Sequence, residues 1–180
     1  MDNDSIRGHN TTESVDIKTL ILWYIDKAPG IRYRELLRLS GLTNGAVEYH
    51  LKILESTHKV KVDRQDGKRA RYYPIYIRSD ESHILGHMRN QAAREIVIFI
   101  LEHDLCTFSE ILEHMKKAPS TVSWHLKRLS DAGIVLVTFG QNFHLYRVTN
   151  SKFVRYVLDK YKESFRDKVA NQYYEIFGDL

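Results

Sequence analysis

Apolar residues recur at helical spacing within residues 120–135, and this pattern predicts a short amphipathic helix. Val122, Leu126 and Leu129 fall at positions i, i+4 and i+7, which places them on one face of a helix. The opposite face carries polar, aromatic and basic side chains. The stretch therefore predicts a helix that packs on one side and presents a chemically varied surface on the other.

The residues that flank this helix predict its two ends and the element after it. Pro119 suits the first helical position, where no backbone donor is needed. Gly133 suits the left-handed conformation that commonly ends a helix, and the apolar run at residues 134–137 then predicts a strand. Helix, glycine and strand in this order are typical of the recognition helix and first wing strand of a winged helix-turn-helix domain.

The same pattern occurs a second time, 75 residues earlier in the chain. The run V-x-x-H-L-K-x-L occupies residues 47–54 in the first copy and residues 122–129 in the second. Upstream apolar residues match in the same register, for example Ile21 with Ile96. Because solenoids have shorter periods and more copies, the pattern predicts an internal duplication of one module instead.

Each copy is predicted to contain three helices and a two-stranded wing. In the first copy the apolar pattern predicts helices over residues 15–27 and 33–39, and Thr43 is a good N-cap for the third helix. Residues 59–63 and 71–75 predict two strands joined through an Asp-Gly pair, which is the strongest short signal for a hairpin. Basic residues near this hairpin predict a wing that lies along a phosphate backbone or in a minor groove.

The segment after the second copy, residues 151–177, predicts one long amphipathic helix, either unbroken or broken once, that Ser151 can cap. Its apolar face is longer than one small module can cover, so a second chain is the expected cover and the chain is predicted to form a homodimer. The alternative is that the helix folds back over the two modules and covers its own apolar face. The predicted dimerisation residues are Phe153, Val157, Tyr161, Phe165, Val169 and Tyr173.

The predicted fold class is mainly α with small β-hairpins (α+β), organised as two tandem winged helix-turn-helix domains and a long C-terminal helix. The predicted segments are a disordered N-terminus at 1–13, the first domain at 14–77, a connecting helix at 78–92, the second domain at 93–150 and the C-terminal helix at 151–180.

Charge distinguishes the two copies. The 180-residue chain carries a formal net charge of +4. Residues 14–77 hold 12 Lys and Arg against 7 Asp and Glu, whereas residues 89–150 hold 7 against 6. A basic excess in one module is typical of a phosphate-binding protein.

The cysteine content and the hydropathy bear on the compartment. The single cysteine, Cys106, excludes an internal disulfide and fits a reducing cytoplasm. No apolar run reaches the length of a membrane span.

The run S-x-x-S-x-H-L-K-x-L-x-x-A-G-I-V within residues 120–135 resembles the recognition helix of the ArsR and MarR-like transcription regulators of prokaryotes, and of archaea in particular. The resemblance covers most of residues 15–150. It implies a sequence-specific transcription regulator that binds double-stranded DNA, with the recognition helices in the major groove. The first copy departs from the family pattern at Glu48 and at His58, where a neutral residue and a glycine are expected.

The candidate DNA-binding residues lie on the outward faces of the two recognition helices and on the first wing. Lys and Arg neutralise phosphate or pair with guanine, and Ser or Asn bonds to base edges. Glu48 repels phosphate but can accept a hydrogen bond from a cytosine amino group. The candidates are Asn44, Gly45, Glu48, Tyr49 and Lys52 in the first helix, Arg64, Lys68, Arg69 and Arg71 on the wing, and Ser120, Thr121, Ser123, Trp124, Lys127 and Arg128 in the second helix.

The histidines allow more than one interpretation. His50 and His125 border the buried faces of the recognition helices, so we expect partly buried rings bonded to backbone; the alternative is a phosphate donor. His83 and His87 have the i, i+4 spacing of a zinc-binding pair, but no further ligand joins them in the sequence. No metal site and no cofactor is therefore predicted.

The sequence lacks the catalytic motifs of the common enzyme classes. The sequence contains no phosphate-cradling glycine loop, no nucleophile elbow and no paired-histidine zinc helix with its glutamate. The alternative to a DNA-binding regulator is a tandem winged-helix adaptor that mediates protein–protein contacts. An adaptor has no need of several basic residues on one hairpin, so the first wing favours DNA.

Overall fold

The computed structural model describes residues 16–64, 70–140 and 143–165. The predicted disordered segment, residues 1–13, lies outside these ranges. Two helix-turn-helix modules are joined by a connecting helix, and a C-terminal segment comes after the second module. Within the described ranges, no helix has the length and apolar character that crossing a membrane requires.

The first module consists of three helices and a three-stranded antiparallel sheet. Its elements are α1 (Ile17–Lys27), β1 (Ile31–Arg32), α2 (Tyr33–Ser40), α3 (Asn44–Ser56), β2 (Val60–Asp63) and β3 (Arg71–Pro74). β3 lies in the middle of the sheet, between β1 and β2. The predicted two-stranded wing is therefore incomplete. A strand of two residues is too short to produce an alternating pattern in the sequence.

The second module repeats this architecture and is preceded by a separate connecting helix. The elements are α4 (Ser79–Met88), α5 (Gln91–His103), β4 (Cys106–Thr107), α6 (Phe108–Met115), α7 (Pro119–Asp131), β5 (Val135–Phe139), β6 (His144–Val148) and α8 (Ser151–Lys160). The chain turns between α4 and α5 because the side chain of Asn90 caps α5, accepting a 3.0 Å hydrogen bond from the backbone N–H of Ala93.

The predicted duplication is present in the structure, where matching helices of the two modules are separated by the same number of residues. α2 and α6 begin and end 75 residues apart, and so do α3 and α7. The stop after the recognition helix is also repeated: Gly133 has φ +68°, and His58 holds the same left-handed position at φ +52°. The departure at His58 therefore changes the residue but not the backbone conformation.

The predicted apolar faces of both recognition helices are buried, which confirms the helical spacing. These residues are Val47, Leu51 and Leu54 of α3 and Val122, Leu126 and Leu129 of α7. The core of the second module is the larger one because α4 and α8 extend it, for example through Leu85 and Val154. Thr43 caps α3 by accepting from the N–H of Ala46 at 3.3 Å, as predicted.

The predicted C-terminal helix is broken once within the described residues, at Tyr161. α8 ends at Lys160, and a short 3-10 helix covers Lys162–Phe165. Asn150, not Ser151, occupies the N-cap position, and its side chain makes no capping hydrogen bond. Periodicity could not locate this break, because the apolar repeat continues through residue 161, where the backbone leaves the helical conformation.

The described part of the predicted dimerisation stripe packs within the chain. Val157 and Tyr161 are buried in the core of the second module, and Phe153 and Phe165 pack against it. For these four residues the structure matches the alternative in which the segment folds back on its own modules. Val169 and Tyr173 lie outside the described residues.

Candidate nucleic-acid interface

The outward face of α3 carries both neutral and charged groups. Tyr49 is 62% exposed, and Asn44 and Gly45 lie at the exposed N-terminal end of the helix. Glu48 and Lys52 form an ion pair in which Nζ lies 2.9 Å from Oε1. Both members of the pair are open to solvent, so a phosphate can compete with the carboxylate for Lys52.

The outward face of α7 carries more hydroxyl groups and more positive charge. The guanidinium of Arg128 lies over the indole of Trp124, 4.8 Å from the ring centroid. Lys127 makes a solvent-exposed ion pair with Asp131 at 3.0 Å. The remaining candidates on this helix are exposed, namely Ser120, Thr121 and Ser123.

The two recognition helices share one aromatic arrangement. Tyr49 stands edge-on to His50 with ring centroids 5.1 Å apart, and Trp124 stands edge-on to His125 at 4.7 Å. The interplanar angle is 79° in both pairs. Trp124 is 52% exposed, so each helix holds a large aromatic ring at its outward surface against a more buried histidine.

The two histidines are inward-facing, as expected. His125 is only 7% exposed. Burial lowers the pKa of His125, and the charges of Arg128 and Lys117 lower it further. The Nδ1 atom of His50 is buried and has no hydrogen-bond partner among the described residues, so the expected bond to backbone is not found for this atom. A neutral, buried imidazole is a poor phosphate donor, and we treat His125 as a packing residue.

The candidate residues of the first wing fall into different environments. Arg64 is exposed and forms a bidentate pair with Glu55, with both N···O distances at 2.7 Å. The hydrogen bond from Arg64 holds the pKa of Glu55 below its ordinary value. Lys68 and Arg69 lie outside the described residues. Arg64 is thus held against the C-terminal end of α3, at the protein surface.

Arg71 does not belong to the exposed wing surface, contrary to the sequence prediction. Its side chain is 9% exposed, and Nη1 donates a 2.8 Å hydrogen bond to the carbonyl oxygen of Gly30. Arg71 is the first residue of β3, the central strand of its sheet, and its side chain lies beside Gly86 of the connecting helix. The burial of Arg71 could not be predicted from the sequence, because β1 was not predicted.

The described surface of the second wing is apolar near its turn, whereas Arg147 is exposed farther along β6. Phe139 and Phe143, at the two ends of the hairpin turn, are exposed, and Phe139 stands edge-on to His144 at 4.8 Å. The two wings therefore present different chemistry, as the uneven charge of the two copies indicates.

The connecting helix contacts the end of the second recognition helix. Nε2 of His83 lies 2.9 Å from the carbonyl oxygen of Ala132, which makes the imidazole the donor. The ring of His87 is 5.3 Å from that of His83. Among the described residues, no cluster of three or more His, Cys, Asp or Glu is arranged to hold a metal ion.

Two family models match this chain, one in each module. A model described as an N-terminal HTH domain matches residues 15–85, and the model for the bacterial regulatory protein, arsR family, matches residues 90–136. Both modules are therefore similar to helix-turn-helix domains, and the second is ArsR-like.

A relative resembles most of this chain. An uncharacterized HTH-type transcriptional regulator of Methanocaldococcus jannaschii is 26% identical over 136 residues. The match covers 76% of this chain but 34% of the relative, so the chain spans about a third of that protein's length. The MarR-like and archaeal parts of the resemblance stay predictions.

Proposed function

We propose that this chain binds double-stranded DNA as a transcription regulator, through its two helix-turn-helix modules. The observation that carries the proposal is the outward face of α7, where hydroxyl, aromatic and basic side chains are exposed opposite a fully buried apolar face. An α-helix fits the major groove, where hydroxyl groups bond to base edges and cations bind phosphate. The likeness to helix-turn-helix domains supports the same function.

We assign different shares of recognition to the two modules. In the second module Ser120, Thr121 and Ser123 place hydroxyl groups at the exposed N-terminal half of α7, which is the part of a recognition helix that contacts bases. In the first module Glu48 faces outward beside Lys52, which reduces the attraction of α3 for phosphate. The first module compensates through its wing, where Arg64 is exposed.

The direct test is selection of binding sites from random-sequence DNA with the full chain, followed by titration of the selected site. An enriched motif is expected, with an affinity that falls as salt increases, since each neutralised phosphate contributes a slope of about −0.9. Replacing Ser120 and Ser123 by Ala should weaken preferred sites by about 1–3 kcal/mol and leave other sequences almost unchanged. Ser109→Ala, an exposed serine on α6, is the matched control.

The adaptor function is the outcome that would replace this proposal. It predicts no enriched motif and no steep salt dependence, because protein contacts release few counterions. Retained binding to a protein partner by the Ser120→Ala, Ser123→Ala variant would then separate the two functions.

A homodimer on an inverted-repeat operator stays a prediction of the sequence. Because Val157 and Tyr161 are buried within the chain, a dimer would have to use surfaces other than the described part of the C-terminal stripe. Light scattering of the full chain at about tens of micromolar distinguishes monomer from dimer. A monomer in solution, together with a selected site lacking two-fold symmetry, would remove the dimer from the proposal.

A further inference from the structure

A cavity of about 140 Å³ lies where the two modules meet. Its walls come from the sheet of the first module, from the connecting helix α4 and from the recognition helix α7. Arg32, Arg71 and Arg128 line it, together with His83 and one carboxylate, Asp63. Among the described residues that line this cavity, positive side chains therefore outnumber negative ones by three to one.

The strand register places two of these arginines side by side. Arg32 of β1 pairs directly with Arg71 of β3, and Asp63 of β2 pairs with Arg71 from the other side. Like charges at directly opposite positions of a sheet destabilise it. Asp63 offsets part of this repulsion, and Arg128 of α7 lines the same cavity.

One side-chain donor of Arg32 is left without an acceptor by the described residues. Its Nε atom is buried and has no hydrogen-bond partner among the described residues. A buried donor without an acceptor is destabilising, because it has lost its water and gained nothing in exchange. Arg71 nearby is held in place by its hydrogen bond to Gly30, so the guanidinium group at this edge of the cavity has a fixed position.

A further buried arginine, Arg89, lies within the electrostatic influence of Arg71. Burial lowers the pKa of Arg89, which comes directly after α4, and the charge of Arg71 lowers it further, against the opposite effect of Glu35. One terminal nitrogen of Arg89, Nη2, is buried without a hydrogen-bond partner among the described residues. Arg89 does not line the cavity, so we expect it to add to the positive charge near Arg71 without contacting a ligand in the cavity.

We propose that this cavity binds a small oxyanion, the phosphate or carboxylate group of a metabolite. Arg32 and Arg71 hold the oxyanion from the first module, and Arg128 holds it from α7. Guanidinium groups match such ligands because their planar N–H donors pair with two oxygens at once. The volume suits a phosphate-sized group, and the imidazole of His83 and the indole of Trp124 close the sides.

Binding in this cavity would connect the two modules. The ligand would contact the sheet of the first module and the helix that we propose to enter the major groove, so it would favour one relative placement of the two. This second step rests on the proposed DNA-binding function, whereas binding of the oxyanion does not. We expect the ligand to change DNA affinity by the ratio of its own affinities for the free and DNA-bound chain.

The binding step is tested without DNA, on the full chain carrying Trp23→Phe. Trp124, which lines the cavity, then becomes the remaining tryptophan and reports its occupancy by fluorescence. Inorganic phosphate and acetate are titrated separately at constant ionic strength against chloride. A saturable change in Trp124 emission is expected with at least one of the two. Arg32→Gln should weaken it by at least about tenfold, as the loss of one charge-assisted hydrogen bond implies.

Two further variants, Arg38→Gln and Arg32→Lys, serve as controls for the weaker anion binding expected of Arg32→Gln. Arg38→Gln removes the same charge from an exposed position on α2 and should leave the affinity unchanged. Arg32→Lys keeps the charge but loses the planar fork, so it should bind more weakly than the parent chain while folding normally by circular dichroism. If Arg32→Gln fails to fold, Arg32→Lys alone decides.

Three outcomes would overturn the oxyanion site. They are no saturable response to either anion, an equal loss of affinity in Arg38→Gln, and loss of DNA binding in Arg32→Lys without any response to free anions. The last outcome would assign the arginines to the DNA backbone. A saturable response that leaves DNA affinity unchanged would keep the site and remove only the connection to DNA.

Discussion

The hydroxyl of Tyr161 donates a 2.8 Å hydrogen bond to the buried carboxylate of Glu81, and so ties the C-terminal segment to the connecting helix. Nζ of Lys160 lies 3.1 Å from the same carboxylate oxygen. Burial raises the pKa of Tyr161 to about 12, and the hydrogen bond to Glu81 raises it in the same direction. A buried carboxylate needs these partners, since burying a charge without them is strongly destabilising.

Removing the hydroxyl in Tyr161→Phe is expected to reduce the free energy of unfolding by about 1–3 kcal/mol, because Glu81 would lose one donor while remaining buried. Urea unfolding at neutral pH measures the change. Tyr49→Phe, which removes the same hydroxyl from an exposed ring on α3, serves as the control and should have little effect. Equal stability of the Tyr161→Phe variant and the parent chain would show that Lys160 alone satisfies Glu81.

The left-handed stop at His58 offers a stabilising substitution. Its φ of +52° suits glycine, which occupies the equivalent position as Gly133 at φ +68°. A side chain in this conformation costs about 1–2 kcal/mol relative to glycine, so His58→Gly should raise the free energy of unfolding by about 1 kcal/mol. His58→Ala, which keeps a Cβ atom, should not. The prediction is contradicted if the two variants have the same denaturation midpoint.

These two positions show what the sequence could and could not predict. The duplication, the recognition helices and the stop at Gly133 all depend on short-range spacing, and the structure contains each of them. The third strand of each sheet and the burial of Arg71 depend on pairing between distant residues, for which local periodicity carries no signal. The same limit applies to Tyr161, whose partner Glu81 lies 80 positions away.

Some residues of the candidate sites could be predicted from the sequence, and others could not. Exposed positions on α3 and α7 could be assigned from helical periodicity, because a residue opposite a buried face points outward. Arg32 could not be identified, since its relevance depends on the register that sets it beside Arg71 and on the cavity between the modules.

The wing prediction changes once Arg71 is known to be buried. Replacing Arg64, Lys68 and Arg69 together by Ala should weaken binding to all DNA sequences and reduce the salt dependence, by about 0.9 in slope for each phosphate contact removed. Affinity measured at several salt concentrations provides the slope. Arg38→Ala, an exposed arginine on α2, is the control for a general change in charge. An unchanged slope in the triple variant would assign DNA contact to surfaces other than the wing.

Arg71 itself is expected to act on stability. Arg71→Gln removes a buried charge that donates to the carbonyl of Gly30 and neighbours Asp63 in the sheet, and it leaves that carbonyl without its donor. A loss of about 1–3 kcal/mol in the free energy of unfolding is expected. Thermal or urea unfolding measures it, and Arg38→Gln provides the comparison for loss of one arginine charge. A variant with parental stability and weaker DNA binding would return Arg71 to the wing surface.

Acidification is expected to destabilise the protein through His125. Burial, with Arg128 and Lys117 nearby, lowers the pKa of this histidine in the folded chain. The unfolded chain therefore takes up the proton at a higher pH than the folded chain. Stability from the neutral ring is complete above the unfolded pKa of about 6.5 and is lost as the pH falls toward the lower folded pKa.

The comparison of the parent chain with His125→Gln isolates this effect from the other histidines. Between about pH 7.5 and about pH 5, the parent chain should lose more free energy of unfolding than the variant, because glutamine does not titrate. His144→Gln, an exposed histidine on the second wing, should behave like the parent chain. A stability difference between the parent chain and His125→Gln that stays constant over this range would mean that His125 has the same pKa in the folded and unfolded chains.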